Sequence, residues 1–191
     1  MEQIRVGFAF CGSFCTYSQA IPALERAKAE FGDVTPIISE ASAVTDTRFG
    51  KAADFVAEME RICGKKVIDS ILKAEPIGPR KLLDVIVVAP CTGNTLAKLA
   101  GGIADTSVTM ACKSHLRNAR PVVLAVSTND GLAGAAKNIG MLLDKKHIFF
   151  VPFGQDDSAG KPTSLVADFT QINETVHAAL EGKQLQPLLL G

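Results

Sequence analysis

Runs of uninterrupted apolar residues alternate along this chain with segments of helical spacing, and that alternation restricts the folds open to it more than any other feature. Ile4 to Phe10 and Val85-Ile-Val-Val-Ala89 read as strands buried on both faces, the pattern of a parallel sheet covered by helices. Val34 to Ile38, Val122 to Val126 and Ile148 to Val151 read as further strands. Between and after them, helical spacing marks Ala20, Leu24, Ala27 and Phe31, then Ala53 to Ile62, the stretch from Leu96, Leu132 to Leu143 and Leu165 to Leu180. Gly32-Asp33 ends the first helix, Ser39 to Gly50 reads as a polar loop, and Pro76-Ile-Gly-Pro79 as a rigid connector. Strand and helix taking turns predicts an α/β fold: a doubly wound, mainly parallel sheet with helices on both faces. No repeat with a period of about 20 to 50 residues is present, so residues 1–191 read as one domain.

Composition excludes several partners. Twenty basic and twenty acidic residues cancel, which leaves no basic stripe for nucleic acid and no polybasic segment for a membrane surface. The apolar runs fall well short of the ~20 residues that span a bilayer. A strand starting at Ile4 leaves no room for a secretion signal, so a cytoplasmic location is expected. Five cysteines (Cys11, Cys15, Cys63, Cys91, Cys112) are odd in number and scattered, and read as free thiols. Cys11 and Cys15 lie four apart with no histidine or second close cysteine pair to complete a ligand set, so no metal is expected.

A doubly wound sheet holds its ligands beyond the carboxyl ends of its strands, near the point where strand order reverses. The segments in those positions are Cys11-Gly-Ser13, Ser39 with Ser42, Pro90 to Thr95, Ser127-Thr-Asn129 and Pro152 to Asp156. All but the last are rich in hydroxyls, amides and glycine. After the first strand, Thr16-Tyr-Ser-Gln19 matches a capping box; Ser13 fits equally as the cap, which puts Pro22 inside the helix. Either way the turn stands at a helix N-terminus, which favours an anion. Gly7 lies five residues before Gly12 and within the strand, so the Gly-x-Gly-x-x-Gly fingerprint of dinucleotide sites is missing. On spacing alone, a phosphate cradle and an ordinary tight turn weigh equally.

The segment Ala89-Pro-Cys-Thr-Gly-Asn-Thr-Leu-Ala-Lys-Leu-Ala-Gly-Gly-Ile-Ala-Asp105 resembles the Pro-Ala-Ser-Ala-Asn-Thr and Gly-Ile-Ala-Asp signature of the flavoprotein family of flavin-containing cysteine decarboxylases. Pro90, Asn94, Thr95, Ala97, Gly102, Ile103, Ala104 and Asp105 match it, whereas Cys91, Thr92 and Gly93 depart from it. The resemblance covers most of the chain and implies an FMN site built in part by the Gly12-Ser13 turn. Ser39, Pro90, Thr92, Asn94 and Thr95 are the further cofactor-binding candidates, with Asn94 near the isoalloxazine and a phosphate or sulfate able to stand in for the FMN phosphate. It also implies a homo-oligomer, a trimer or a multiple of one, with the flavin near a subunit interface. The apolar tail Leu185-Gln-Pro-Leu-Leu-Leu190 suits such a contact.

The departures narrow the activity. The decarboxylases carry a histidine between the second and third strands and a Pro-x-Met-Asn-x-x-Met-Trp segment after the fourth. Here Ser39 to Asp84 contains no histidine, only Asn129 corresponds to the second motif, and the chain has no tryptophan. The resemblance therefore points to the non-nicotinamide subunit of an oxidoreductase, whose companion subunit supplies a Rossmann domain carrying NAD or NADP. A free-standing FMN enzyme of decarboxylase or prenyltransferase type and a non-catalytic scaffold are the alternatives. No catalytic residue is assigned. His115, His147 and His177 read as surface or internally satisfied positions. Arg48 reads as solvent-exposed, with bidentate contact to an oxyanion as the alternative. Lys113, Arg117 and Arg120 read as one solvated side of a helix. Cys91 falls in the candidate pocket without a neighbouring base.

Overall fold

The computed structural model describes residues 3–191. In chain order the elements are β1 (Arg5–Phe10), α1 (Tyr17–Phe31), β2 (Asp33–Ile38), α2 (Glu40–Val44), α3 (Ala52–Cys63), α4 (Ile71–Ala74), β3 (Val85–Cys91), α5 (Gly93–Gly101), α6 (Ser107–Leu116) and β4 (Val122–Thr128). Then follow α7 (Ala136–Leu143), β5 (Ile148–Phe150), β6 (Phe153–Gly154), β7 (Leu165–Ala167) and α8 (Ile172–Leu180). Strands β2, β1, β3, β4 and β5 lie side by side in that order and all parallel. Helices α1, α3 and α8 pack on one face, and α4, α5, α6 and α7 on the other. This is the doubly wound, mainly parallel sheet that the apolar runs predict.

Every residue of β3 is buried, because a central parallel strand has helices above and below it. Each such valine or isoleucine side chain contributes about 1.5–3 kcal/mol by leaving water. A single cluster of buried side chains runs from Val6 to Ala179.

Three local expectations are corrected. Thr16 does stand before α1, but its hydroxyl donates to the Ser13 carbonyl (2.8 Å) and caps nothing, so the capping box with Gln19 is not formed. A turn of 3₁₀ helix over Phe14–Thr16 occupies the space instead, and Pro22 lies inside α1. Ser39 to Gly50 is not all loop, since α2 begins directly after Ser39. Leu165 to Leu180 is not one helix: its first three residues form β7, which pairs antiparallel with Ser127 and Thr128 at the end of β4 and also with β6. The Asp168 carboxylate then accepts from the Thr170 amide (2.9 Å), and α8 starts only at Ile172.

Arg120 also differs from its reading as part of a solvated helix side. Helix α6 ends at Leu116, and the Arg120 guanidinium turns inward to the Asp84 carboxylate (3.0 Å) and the Leu83 carbonyl. The apolar tail runs along β6, where Phe153 and Leu190 are joined by a backbone hydrogen bond from the Leu190 amide (3.0 Å), leaving Leu189 exposed.

Candidate functional site

Strand order reverses between β1 and β3: the chain leaves β1 to one side for β2, then returns across it to β3 and β4. The crevice beyond the carboxyl ends of these strands is where such a sheet can admit a ligand, since the crossovers diverge there and leave it uncovered. A hollow of about 210 Å³ occupies that position.

Its walls come from the end of β4, with Ser127, Thr128 and Asn129, and from three other places. The turn after β1 contributes Gly12, Ser13 and Thr16. The Ser13 hydroxyl lies 2.8 Å from the Ser127 hydroxyl on β4, and Ser127 donates to Thr16 at 3.3 Å, so three hydroxyls meet at one corner. The loop after β3 contributes Thr92, whose hydroxyl accepts from the Thr95 amide (3.2 Å) and so caps α5. This satisfies one of the orphan amides at that helix start. The third wall is the connection between β6 and β7, with Asp156, Lys161 and Ser164.

Glycine has a defined reason at Gly93. A Cβ there would stand 2.7 Å from the Thr128 hydroxyl oxygen and 2.8 Å from a carboxylate oxygen of Asp130. The Asp130 carboxylate thus packs against the start of α5, where the helix dipole favours negative charge. At Gly12 the reverse holds: a Cβ would find only ordinary contacts, 3.7 Å to the Phe14 ring and 3.8 Å to the Ser42 hydroxyl. Packing of the chain against itself does not demand glycine at that turn.

The predicted site residues are only partly gathered. Gly12, Ser13 and Thr92 line the hollow. Thr95 is buried beneath it and is hydrogen-bonded to the Cys11 thiol. Asn94 is exposed on the first turn of α5, beside the hollow but outside its lining. Pro90 is buried within β3, and Ser39 turns away to the Ser42 hydroxyl (2.8 Å). Sequence reasoning took in this wall only as far as Asp156 and passed over Lys161 and Ser164. The signal was there, since Gly154-Gln-Asp-Asp-Ser-Ala-Gly-Lys-Pro-Thr-Ser164 is turn-forming chemistry between two short apolar runs.

The titratable groups of the lining are Cys15, Asp156 and Lys161. Beneath it, burial pushes the Cys11 thiol up to about 11 in spite of hydrogen bonds from Thr95 and Thr92. Burial also pushes Cys91 well above the usual thiol range, with Cys11 and Cys112 adding to the effect. Both therefore stay protonated at neutral pH and are poor nucleophiles. The lining holds no histidine. The hydroxyls and amides of the lining suit it to bind and orient polar groups.

Three larger hollows lie elsewhere: one of about 360 Å³ at the end of α3, lined by Glu60, Arg61 and Lys65, and two others. The first of these two, of about 450 Å³ and lined by Gln3, Ile4, Arg5 and Asp84, opens at the amino end of β1, where Arg5 pairs with Asp84 at 2.7 Å. The second, of about 380 Å³, has the aromatic walls Phe14, Tyr17, Phe49 and Phe55. None of the three sits at the strand-order reversal. Arg48, exposed, lies over the Phe49 ring with its guanidinium carbon 4.8 Å from the centroid.

A parallel sheet of this order is the flavodoxin-like doubly wound architecture, which takes its ligands at the reversal point. The chain belongs to the flavoprotein family, whose pattern matches residues 1–177. Within that family it is similar to the B subunit of dipicolinate synthase from Bacillus subtilis (strain 168), with 46% identity over 186 residues, 97% of this chain and 93% of that one. The crystal structure of the dipicolinate synthase B subunit from Bacillus halodurans C superposes with a TM-score of 0.90 at 43% identity, covering 100% of this chain and 99% of the other. Burkholderia xenovorans DmrB in complex with FMN, described as a cubic protein cage for redox transfer, shares the fold with a TM-score of 0.69 at 15% identity, over 94% of this chain and 97% of that one.

Proposed function

We propose that this chain is the B subunit of a dipicolinate synthase. Its partner is the dipicolinate synthase A subunit, which brings the nicotinamide-binding domain and NAD or NADP. Together they oxidise dihydrodipicolinate to pyridine-2,6-dicarboxylate. The reaction removes a hydride and a proton from the ring; the nicotinamide accepts the hydride and water the proton. The observation that carries this reading is 46% identity sustained over 97% of the chain. The reaction belongs to sporulation, and the expected place is the cytoplasm of the mother cell in a spore-forming bacterium. No helix among the described residues is long and apolar enough to cross a membrane.

Family membership and the FMN-bound relative support a flavin as the cofactor. The residues at the hollow suit part of one. Gly12, whose packing leaves room for close approach, and the Ser13 hydroxyl would hold the phosphate, with Thr92 and Thr95 ordering the opposite wall and Ser39 and Pro90 supporting from behind. Bound FMN supplies two-electron chemistry. A hollow of about 210 Å³ is smaller than the roughly 300–1,000 Å³ typical of complete small-molecule sites. A whole flavin therefore needs a wall from a second chain, which favours a homo-oligomer, a trimer or a multiple of it. Light scattering is expected to return a mass well above the 20.2 kDa chain; a strict monomer at micromolar concentration contradicts this part.

The chain's own work is binding and orientation. Hydroxyls at the hollow hold the ligand's polar groups and exclude water while the companion subunit presents its nicotinamide. Asn94, exposed on the first turn of α5, is the polar group assigned to the ligand ring. Asn94→Ala is expected to lower kcat/KM of the reconstituted two-subunit enzyme about fivefold, the effect of one lost hydrogen bond of about 1 kcal/mol. An unchanged rate removes Asn94 from the groups that hold the ligand ring.

Two assays test the reading as a whole. The isolated protein is expected to turn over nothing, with activity appearing on mixing with the A subunit plus NAD or NADP. Visible absorption of the purified protein, alone and mixed, reports the flavin. If the isolated protein releases carbon dioxide from a cysteinyl peptide, the decarboxylase alternative replaces this one.

A further inference from the structure

The hollow has hydroxyls on most sides, but among the described residues of its lining Lys161 is the one cation. Lys161 comes from the connection between β6 and β7, residues 155–164. Pairing of β7 with Ser127 and Thr128 lays this connection against the carboxyl end of β4. Its position is fixed by the Thr163 hydroxyl donating to the Asn129 carbonyl (2.7 Å) and by the Leu132 amide donating to the Thr163 carbonyl (2.9 Å). Within the connection, the Gly160 and Lys161 amides donate to the side chain and carbonyl of Asp157, both at 2.8 Å. The backbone that carries Lys161 is therefore ordered, while its side chain remains 54% exposed.

Its partner is Asp156, with Nζ 3.3 Å from the carboxylate. The buried Ser164 hydroxyl, and then Lys161, hold the Asp156 carboxyl below the usual carboxylate range. Asp156 is thus braced by Ser164 whether or not the lysine stays. A half-exposed, long ion pair between a flexible ammonium and a carboxylate is weak, so a second carboxylate competes for the ammonium at little cost.

We propose that Lys161 is a specificity-determining residue that selects a carboxylate-bearing ligand, by leaving Asp156 to bind an acidic group presented at the mouth of the hollow. Its ligand class is a small organic carboxylate. The choice of probe rests on the function proposed above.

The test is calorimetric titration of the full chain with pyridine-2,6-dicarboxylate and with the uncharged, equally shaped pyridine-2,6-dicarboxamide. The natural protein is expected to prefer the diacid by about tenfold or more, as one charge-assisted contact provides. Lys161→Gln is expected to erase that preference and Lys161→Arg to retain most of it. An unchanged preference in Lys161→Gln overturns the proposal, as does a natural protein with no preference. If Lys161→Gln instead weakens FMN while leaving riboflavin and the diacid untouched, the lysine reads a flavin phosphate, and the proposal also falls. Reconstitution separates the two levels. A natural protein active with its companion, alongside a Lys161→Gln variant that keeps the preference, rejects this inference alone. No turnover and no diacid binding by the natural protein reject both.

Discussion

Ser13→Asp is expected to weaken FMN binding about a hundredfold while leaving riboflavin, which lacks the phosphate, unaffected. The Ser13 hydroxyl sits 2.8 Å from that of Ser127 at the corner of the hollow, so a carboxylate there faces any anion held by the turn. Two like charges about 5 Å apart at an effective dielectric constant of about 20 repel by roughly 3 kcal/mol, which sets the expected hundredfold. Ser13→Ala provides the comparison: it removes one neutral hydrogen bond and is expected to cost only about 1 kcal/mol. Flavin titration followed by absorbance or fluorescence reads both variants. Equal FMN affinity in Ser13→Asp and the natural protein would mean that no anion is bound at the β1 turn.

The second large effect concerns acid stability and comes from a residue far from the hollow. His115 on α6 is buried, and its Nε2 atom has no hydrogen-bond partner. Burial, aided by the positive charge of Arg120 and opposed by weaker contributions from Pro121 and Asp84, pushes the imidazole down to about 4 from an ordinary 6.5. Above pH 6.5 the ring is neutral in both folded and unfolded chains, and it makes no pH-dependent contribution. Between 6.5 and about 4 the unfolded chain takes up a proton that the folded chain refuses, so stability falls as pH falls. Over that window the loss amounts to about 3 kcal/mol.

Urea unfolding at about pH 7.5 and about pH 4.5, either side of most of this window, measures it. His115→Leu, which cannot protonate, is expected to lose about 3 kcal/mol less than the natural protein on acidification. It is also expected to be at least as stable at neutral pH, because the unpaired nitrogen is gone. Identical pH dependence in the two proteins would show that the ring is protonated or solvated in the fold. Asp84, held low chiefly by Arg5, adds its own acid sensitivity below the ordinary carboxylate range, but equally in both proteins.

The histidine illustrates where sequence reading stopped. Its helical surroundings were legible, but a surface and an interior position on α6 look alike when a neighbour is polar, and Ser114-His115 is such a case. Arg120 was misplaced for a related reason: spacing with Lys113 and Arg117 suggested a helix that in fact stops at Leu116. Ser39 fell in the correct position after a strand, yet its hydroxyl bonds Ser42 on the next turn and leaves the hollow to others.

Local residue order carries the parallel sheet, its approximate strand limits, the loop of Pro90 to Thr95 and the family. A strand buried on both faces must be apolar at every position, which makes β1 and β3 visible in single-file order. The family signature is likewise a contiguous string. Which polar groups meet depends on how distant segments pack. Ser13 and Ser127 are brought to 2.8 Å by the sheet across a sequence separation of 114 residues, and no local spacing records such a contact. Lys161 reaches the hollow because β7, three residues long, pairs with the end of β4. A strand that short has no readable period; its place is fixed by the partner strand's free hydrogen-bonding edge.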